Sequence, residues 1–349
     1  MLSLKKSVLA LIICTGLFSF AAAQQSGLSN EAGRGQEQQT RLRQQFERLD
    51  KDQDGVLTFR EFASGRYVKE RVAKWGNVPE GIDIQRDIVY VPAGGKSQRL
   101  DILRSGVGAE DLRPAIVYIH GGSFRGGDKR GGWPRLFPLV EAGYIGVSLN
   151  YRLSREATFP AQIEDCKAAI RYLRRHAEDL GIDPERIGVW GVSAGGYLAS
   201  LLGTSGDVAE LNQGGWSETS SRVQAVCNWY GPADFFRLLA KVRTNDPNSP
   251  ERQLFGGDLE TRKDLVDRAS PLRYVSADDP PFLIVHGEAD RIIPHEQGTF
   301  LFSALQQAGV EVEFVSVPGA GHGGEPFREQ QQRVMEFFDR VLAKGEPEL

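Results

Sequence analysis

"VWGVSAGGYLA", residues 189–199, sets Ser193 between glycines at the end of an apolar run and directly before a helix-forming stretch. Gly191 and Gly195 give the spacing G-x-S-x-G. In that pattern strand and helix meet without Cβ atoms between them, and the serine occupies a strained turn with its hydroxyl exposed. A hydroxyl needs no such bend to form a hydrogen bond. The turn therefore implies that Ser193 is presented to a reaction partner.

A serine hydroxyl is a weak nucleophile and needs a base, usually a histidine oriented by a carboxylate. The chain has five histidines. His176 lies on a charged helical stretch, His120 and His286 end apolar runs, and His295 follows Pro294 at the start of a helical pattern. His322 lies in "PGAGHGG", directly after the last strand-like run and without large neighbours to pin it, and is the expected base. Asp290, in "HGEAD", lies between serine and histidine at a strand end and is the expected acid. Asp234, Asp278 and Asp279 are the alternatives. The order serine, acid, histidine is that of α/β-hydrolases. Attack on a carbonyl also creates an oxyanion, which backbone N–H groups can receive. "IHGGSF", 119–124, offers the amides of Gly121, Gly122 and Ser123, to which Ala194 adds its own.

Around these motifs, strand-like runs occur at 82–91, 99–105, 115–122, 144–151, 186–193, 223–231, 281–290 and 311–319. Several are nearly continuous in Val, Ile and Leu, as suits strands buried on both faces of a parallel sheet. Helical patterns alternate with them. In 160–177, Ile163, Cys166, Ile170 and Leu173 share one apolar face, and Arg171, Arg174 and Arg175 are expected to face away. The expected fold is α/β, a mostly parallel central sheet with helices on both faces. Residues 232–280 interrupt the alternation and are expected to form a cap-like insertion in a domain spanning 82–345. Cys166 and Cys227 are read as separate buried thiols.

Ahead of this domain, Lys5 and Lys6 precede an apolar stretch from Val8 to Phe20, followed by Ala21 and Ala23. This is the pattern of a cleavable signal peptide over 1–23, and the stretch is shorter than the ~20 apolar residues of a membrane span. A secreted or periplasmic protein is expected. Residues 24–40 are polar and Gln/Gly-rich and read as a disordered linker. "DKDQDGVLTFRE", 50–61, within a helical segment at 41–75, fits a single EF-hand loop. Asp50, Asp52, Asp54, the Val56 carbonyl, Thr58 and Glu61 offer hard oxygen ligands, with Gly55 at the sharp turn, so calcium is expected there in a structural role. The net charge of −4 provides no basic field for nucleic acid.

"HGGSFRGGDK", "NYRL", "FPAQIEDC", "GVSAGG", "HGEAD" and "GAGH" together resemble the carbohydrate-type carboxylesterases near the hormone-sensitive-lipase branch of the α/β-hydrolases, especially the feruloyl and acetylxylan esterase-like group. The resemblance extends from about Ile82 to the end. It implies an α/β-hydrolase fold with Ser193 as nucleophile, Asp290 and His322 as its partners, and the "HGG" turn as oxyanion loop. It also implies small-molecule or polysaccharide esters with short acyl or aromatic groups as substrates. Val192 and Ser123 depart from that branch, which usually has an acid and a third glycine there. Two other functions remain open: a prolyl-oligopeptidase-like peptidase, and a calcium-dependent surface binding protein on a hydrolase scaffold.

Overall fold

The eight apolar runs each carry a strand: β1 (Ile82–Val89), β2 (Arg99–Ser105), β3 (Arg113–Ile119), β4 (Ile145–Leu149), β5 (Ile182–Val192), β6 (Ala225–Trp229), β7 (Phe282–Gly287) and β8 (Val312–Val317). In the computed structural model the described residues are 78–91, 98–106, 111–206, 208–241, 246 and 248–342. The chain divides into two units, Met1–Asn77 and Val78–Leu349. The predicted signal peptide, linker and calcium loop fall in the first and lie outside the described residues.

The strands form one sheet in the order β1-β2-β4-β3-β5-β6-β7-β8. β1 and β2 are antiparallel additions at one edge, and every pairing from β4 through β8 is parallel. Alternating side chains enter two cores. On β3, Ala115, Val117 and Ile119 join one apolar cluster while Ile116 and Tyr118 join the other. The first cluster is covered by α2 (Ala161–Arg175), α3 (Ala194–Thr204) and α4 (Glu296–Gln307), and the second by α1 (Trp133–Glu141) and α5 (Gln331–Leu342). Both faces of the sheet are thereby buried, which is why the central strands read as unbroken apolar runs. Cys166 and Cys227 are free, and they lie in opposite clusters. No helix among the described residues is long and apolar enough to cross a membrane.

Strand order fixes where a site can form. The chain leaves β3 to make β4 on one side, then crosses to make β5 on the other. That reversal opens a crevice at the carboxyl ends of β3 and β5, the usual ligand position in open α/β sheets. The "HGG" turn follows β3 and Ser193 follows β5, so both motifs reach this crevice.

The expectation that Arg171 faces solvent is corrected. Arg171 is fully buried. Residues 212–215 fold over α2, and the guanidinium donates to the carbonyls of Gln213 (2.8 Å) and Gly215 (2.9 Å) and to Asn212 Oδ1 (2.5 Å). Helical periodicity placed the residue off the apolar stripe but could not reveal a loop whose unpaired carbonyls need donors.

The β5–α3 turn depends on close backbone contact. A Cβ at Gly191 would lie 2.0 Å from the Gly195 carbonyl oxygen, and one at Gly195 would lie 2.0 Å from the Ile119 carbonyl oxygen. Ser193 itself has φ 54° and ψ −121°. A non-glycine residue held there costs on the order of 1–3 kcal/mol. Burial of Leu198, Leu201 and Leu202 on α3 offsets this, at about 1.5–3 kcal/mol each relative to exposure. Gly195→Ala is expected to lower the melting temperature by about 5 °C or more. Gly131→Ala, where an added Cβ meets nothing within 4 Å, is the control and should change it little. Equal melting curves for the two variants would contradict the account of the turn.

Candidate active site

Ser193 is held by its own backbone. Its N–H donates to the Trp229 carbonyl (2.9 Å), and its carbonyl accepts from Tyr197 N–H (3.0 Å) in the first turn of α3. The side chain is left facing the carboxyl edge of the sheet, where Oγ lies 2.8 Å from His322 Nε2. His322 Nδ1 lies 2.7 Å from Asp290 Oδ2. An ionised carboxylate can only accept, so Nδ1–H donates to Asp290 and Nε2 is left to accept the Ser193 hydroxyl proton. The three side chains form one directed relay.

Asp290 follows β7, with its side chain fully buried. Oδ1 accepts from the N–H groups of Ile292 (2.8 Å) and Ile293 (3.0 Å). Burial alone would raise its pKa. The His286 imidazole 3.5 Å away and hydrogen bonds from His322 and Ile293 N–H outweigh burial and hold the carboxyl well below the usual carboxylate range. The alternative acids are engaged elsewhere: Asp234 pairs with Arg237 (3.2 Å), Asp278 with Arg222 (2.5 Å), and Asp279 accepts from Ser276.

The other histidines also have local tasks. His120 sits with Nδ1 2.8 Å from the Gly121 carbonyl and stacks on Tyr151, His295 pairs with Ser316, and His176 packs against Tyr172 and Trp216. His286 Nε2–H donates to the Ile293 carbonyl (2.9 Å) and passes 3.5 Å from Asp290 Oδ2. This buttress was not apparent from sequence, where His286 is simply the end of a strand.

The "HGG" turn is pressed against the serine. A Cβ at Gly121 would lie 2.7 Å from the Val192 carbonyl oxygen and 3.1 Å from Ser193 Cβ. The turn is closed by Arg125 N–H and Gly126 N–H, both donating to the Gly122 carbonyl (3.0 and 3.1 Å). Gly122, Ser123 and Phe124 all have positive φ, at 125°, 53° and 60°. Among the described residues, none of the turn and loop hydrogen bonds uses the amides of Gly121, Gly122 or Ser123. Ala194, as the first residue of α3, has no intrahelical acceptor for its N–H. The arrangement brings together a hydroxyl, an imidazole, an oriented carboxylate and unspent amide donors. Among the described residues no group of three His, Cys, Asp or Glu side chains could hold a metal ion.

Residues 100–305 match the family described as BD-FAE. The chain belongs to the BD-FAE family. Among curated relatives, esterase LipQ of Mycobacterium tuberculosis is 36% identical over 249 residues, 68% of this chain and 56% of LipQ. The chain spans about half the length of the curated relatives it matches. Among solved structures, a truncated carbohydrate esterase from gut microbiota is similar with a TM-score of 0.71 and 33% identity, over 77% of this chain and all of that one. A bifunctional GH43-CE from Bacteroides eggerthii gives 0.69 and 34%, over 76% of this chain and 36% of that one. The BD-FAE domain here thus has the α/β-hydrolase architecture, with Ser193 and the "HGG" turn at its switch point.

The depressed pKa of Asp290 makes a testable statement about stability. A carboxyl whose folded pKa lies below its unfolded value of about 3.9 contributes stability above that value and loses it as pH falls toward the folded pKa. The melting-temperature advantage of the wild type over Asp290→Asn should therefore hold at neutral pH and shrink below about pH 4. A gap that stays constant, or widens, on acidification would contradict the placement of the charge.

Proposed function

We propose that this chain is a serine carboxylic-ester hydrolase. The observation that carries the proposal is the 2.8 Å contact between Ser193 Oγ and His322 Nε2, continued to Asp290. In this mechanism His322 takes the Ser193 proton as Oγ attacks the ester carbonyl carbon, and the Asp290 carboxylate stabilises the imidazolium without itself taking the proton. The amides of Gly121, Gly122, Ser123 and Ala194 receive the charge developing on the carbonyl oxygen. His322 then gives its proton to the departing alcohol, leaving an acyl group on Ser193. A water molecule, activated by the same imidazole, releases the acid.

The preferred substrates in this proposal are short acyl or aromatic esters carried on polysaccharides. Support comes from the similarity to a structure named as a carbohydrate esterase and from the motif set "HGGSFRGGDK" with "GVSAGG". The signal-peptide pattern of residues 1–23 adds export to the compartments outside the cytoplasm where such polymers are met. We further infer calcium at Asp50, Asp52, Asp54, Val56, Thr58 and Glu61, from the spacing of the oxygen ligands alone. The mechanism has no step for that ion, so its role is structural.

Ser193→Ala is expected to lower kcat for p-nitrophenyl acetate by at least about 10⁴-fold with the melting curve retained. Comparing acetyl, butyryl and feruloyl esters, free and on xylan, then ranks the substrates. Turnover persisting in Ser193→Ala would overturn the proposal. For calcium, chelation should lower the melting temperature of the full chain while leaving the rate per folded molecule unchanged. A fall in that rate with no thermal effect would assign calcium to the chemistry instead.

A further inference from the structure

Six non-glycine residues among the described ones have positive φ: Asp87, Ser123, Phe124, Ser193, Trp216 and Tyr230. Ser123 and Phe124 belong to the turn after β3, and Ser193 is the nucleophile of the proposed reaction. Tyr230, at φ 44°, has no part in the mechanism so far. A bulky side chain persists in this region only where its surroundings over-determine it.

Those surroundings are the site itself. Tyr230 follows β6, between β5, which ends at the serine turn, and β7, which leads to Asp290. Ser193 N–H donates to the carbonyl of the preceding residue, Trp229 (2.9 Å), and Tyr230 N–H donates to Val285 of β7 (2.9 Å). The backbone of 229–230 thus ties the nucleophile strand to the acid strand. Tyr230 is 6% exposed, and its ring lies 4.6 Å from the His322 ring, centroid to centroid, with the planes inclined by 59°. Phe327 meets the same ring edge-on at 4.6 Å and also packs on Trp229. The phenol end lies beside Gly323, where an added Cβ would be 3.3 Å from the hydroxyl oxygen.

His322 needs such a support. Gly319, Gly321, Gly323 and Gly324 surround it in sequence, and three of these have positive φ. Its bonds at Nδ1 and Nε2 fix two points of the ring, and the third, Cγ, is tethered only through a backbone set among these glycines. A wall against the ring removes the freedom that tether leaves, and an aromatic wall also attracts the positive charge that appears on the imidazole during attack.

We infer that Tyr230 is a positioning residue for His322, its ring holding the imidazole toward Ser193 and favouring the imidazolium. The inference rests on the triad proposed above. The groups that face His322 are Ser193 on the β5 turn and Asp290 after β7, with His286 of β7 behind that carboxylate. Arg135 of α1 faces Tyr230, with its guanidinium 6.0 Å from the Trp229 ring. The phenol hydroxyl has no task in this role, so a phenyl ring suffices.

The test compares Tyr230→Leu, Tyr230→Met and Tyr230→Phe in the full chain, with rates expressed per folded molecule from thermal melts. Leu and Met remove the π face, and Met keeps most of the volume. Both should lower kcat about five- to tenfold with KM little changed. The acid limb of kcat/KM should move to lower pH, because an imidazolium formed during attack has lost a stabilising neighbour. Phe should restore both readouts. Wild-type kcat and acid limb in whichever of the Leu and Met variants folds, or a Phe variant as impaired as Leu, would overturn the inference. So would a lower melting temperature with unchanged kcat per folded molecule, which marks a ring that only packs. Activity persisting in Ser193→Ala removes the triad itself, whereas an inactive Ser193→Ala beside an unaltered Tyr230 series removes this inference alone.

Discussion

Three backbone segments touch with no side chain between them, and the rest of the site depends on that contact. The end of β5, the first turn of α3 and the turn after β3 approach so closely that a single Cβ at Gly121, Gly191 or Gly195 would overlap a carbonyl oxygen. The contact forces Ser193 into the left-handed region and brings the amides of the "HGG" turn beside it. The Ser193 hydroxyl and these donors are one geometric object. Loosening either segment moves both, because the turn strained at Ser193 is also the wall against which Gly121 rests.

The sheet then supplies what the turn cannot. β7 delivers Asp290, and the loop after β8 delivers His322, so the carboxylate and the imidazole arrive from strands on one side of the serine. The anion is secured by two backbone N–H groups and the His322 imidazole, with His286 3.5 Å away, and it faces His322 with its charge retained. A buried carboxylate with fewer donors would take up a proton instead of orienting a base. The investment of donors in Asp290 is consistent with a mechanism in which the imidazole, not the carboxylate, carries the moving proton.

Much of this was legible in the sequence because it is written in short-range chemistry. Glycines at fixed offsets from Ser193, a histidine in a glycine loop and an aspartate at a strand end are local signals, and unbroken Val/Ile/Leu runs announce a sheet buried on both faces. The structure brings Ser193, His322 and Asp290 into hydrogen-bond contact and leaves Asp234, Asp278 and Asp279 with other partners. What escaped the sequence was long-range. Arg171 lies off the apolar stripe of α2 but is buried by a loop some forty residues later, where it serves carbonyls no periodicity can announce. His286 and Tyr230 look like ordinary strand-end residues, and only the folded neighbours of Asp290 and His322 give them tasks. The expected calcium loop at 50–61 lies outside the described residues, so its ligand set stands on spacing alone.

The most direct measurement is the covalent capture of the nucleophile. p-Nitrophenyl diethyl phosphate transfers its diethylphosphoryl group to an activated serine oxygen, forming an O–P bond as p-nitrophenolate leaves, and intact-mass and peptide mass spectrometry locate the adduct. A single adduct on Ser193, formed far more slowly in His322→Ala, is the predicted result. An adduct on another residue, or a rate on Ser193 unchanged by loss of the imidazole, would contradict the account.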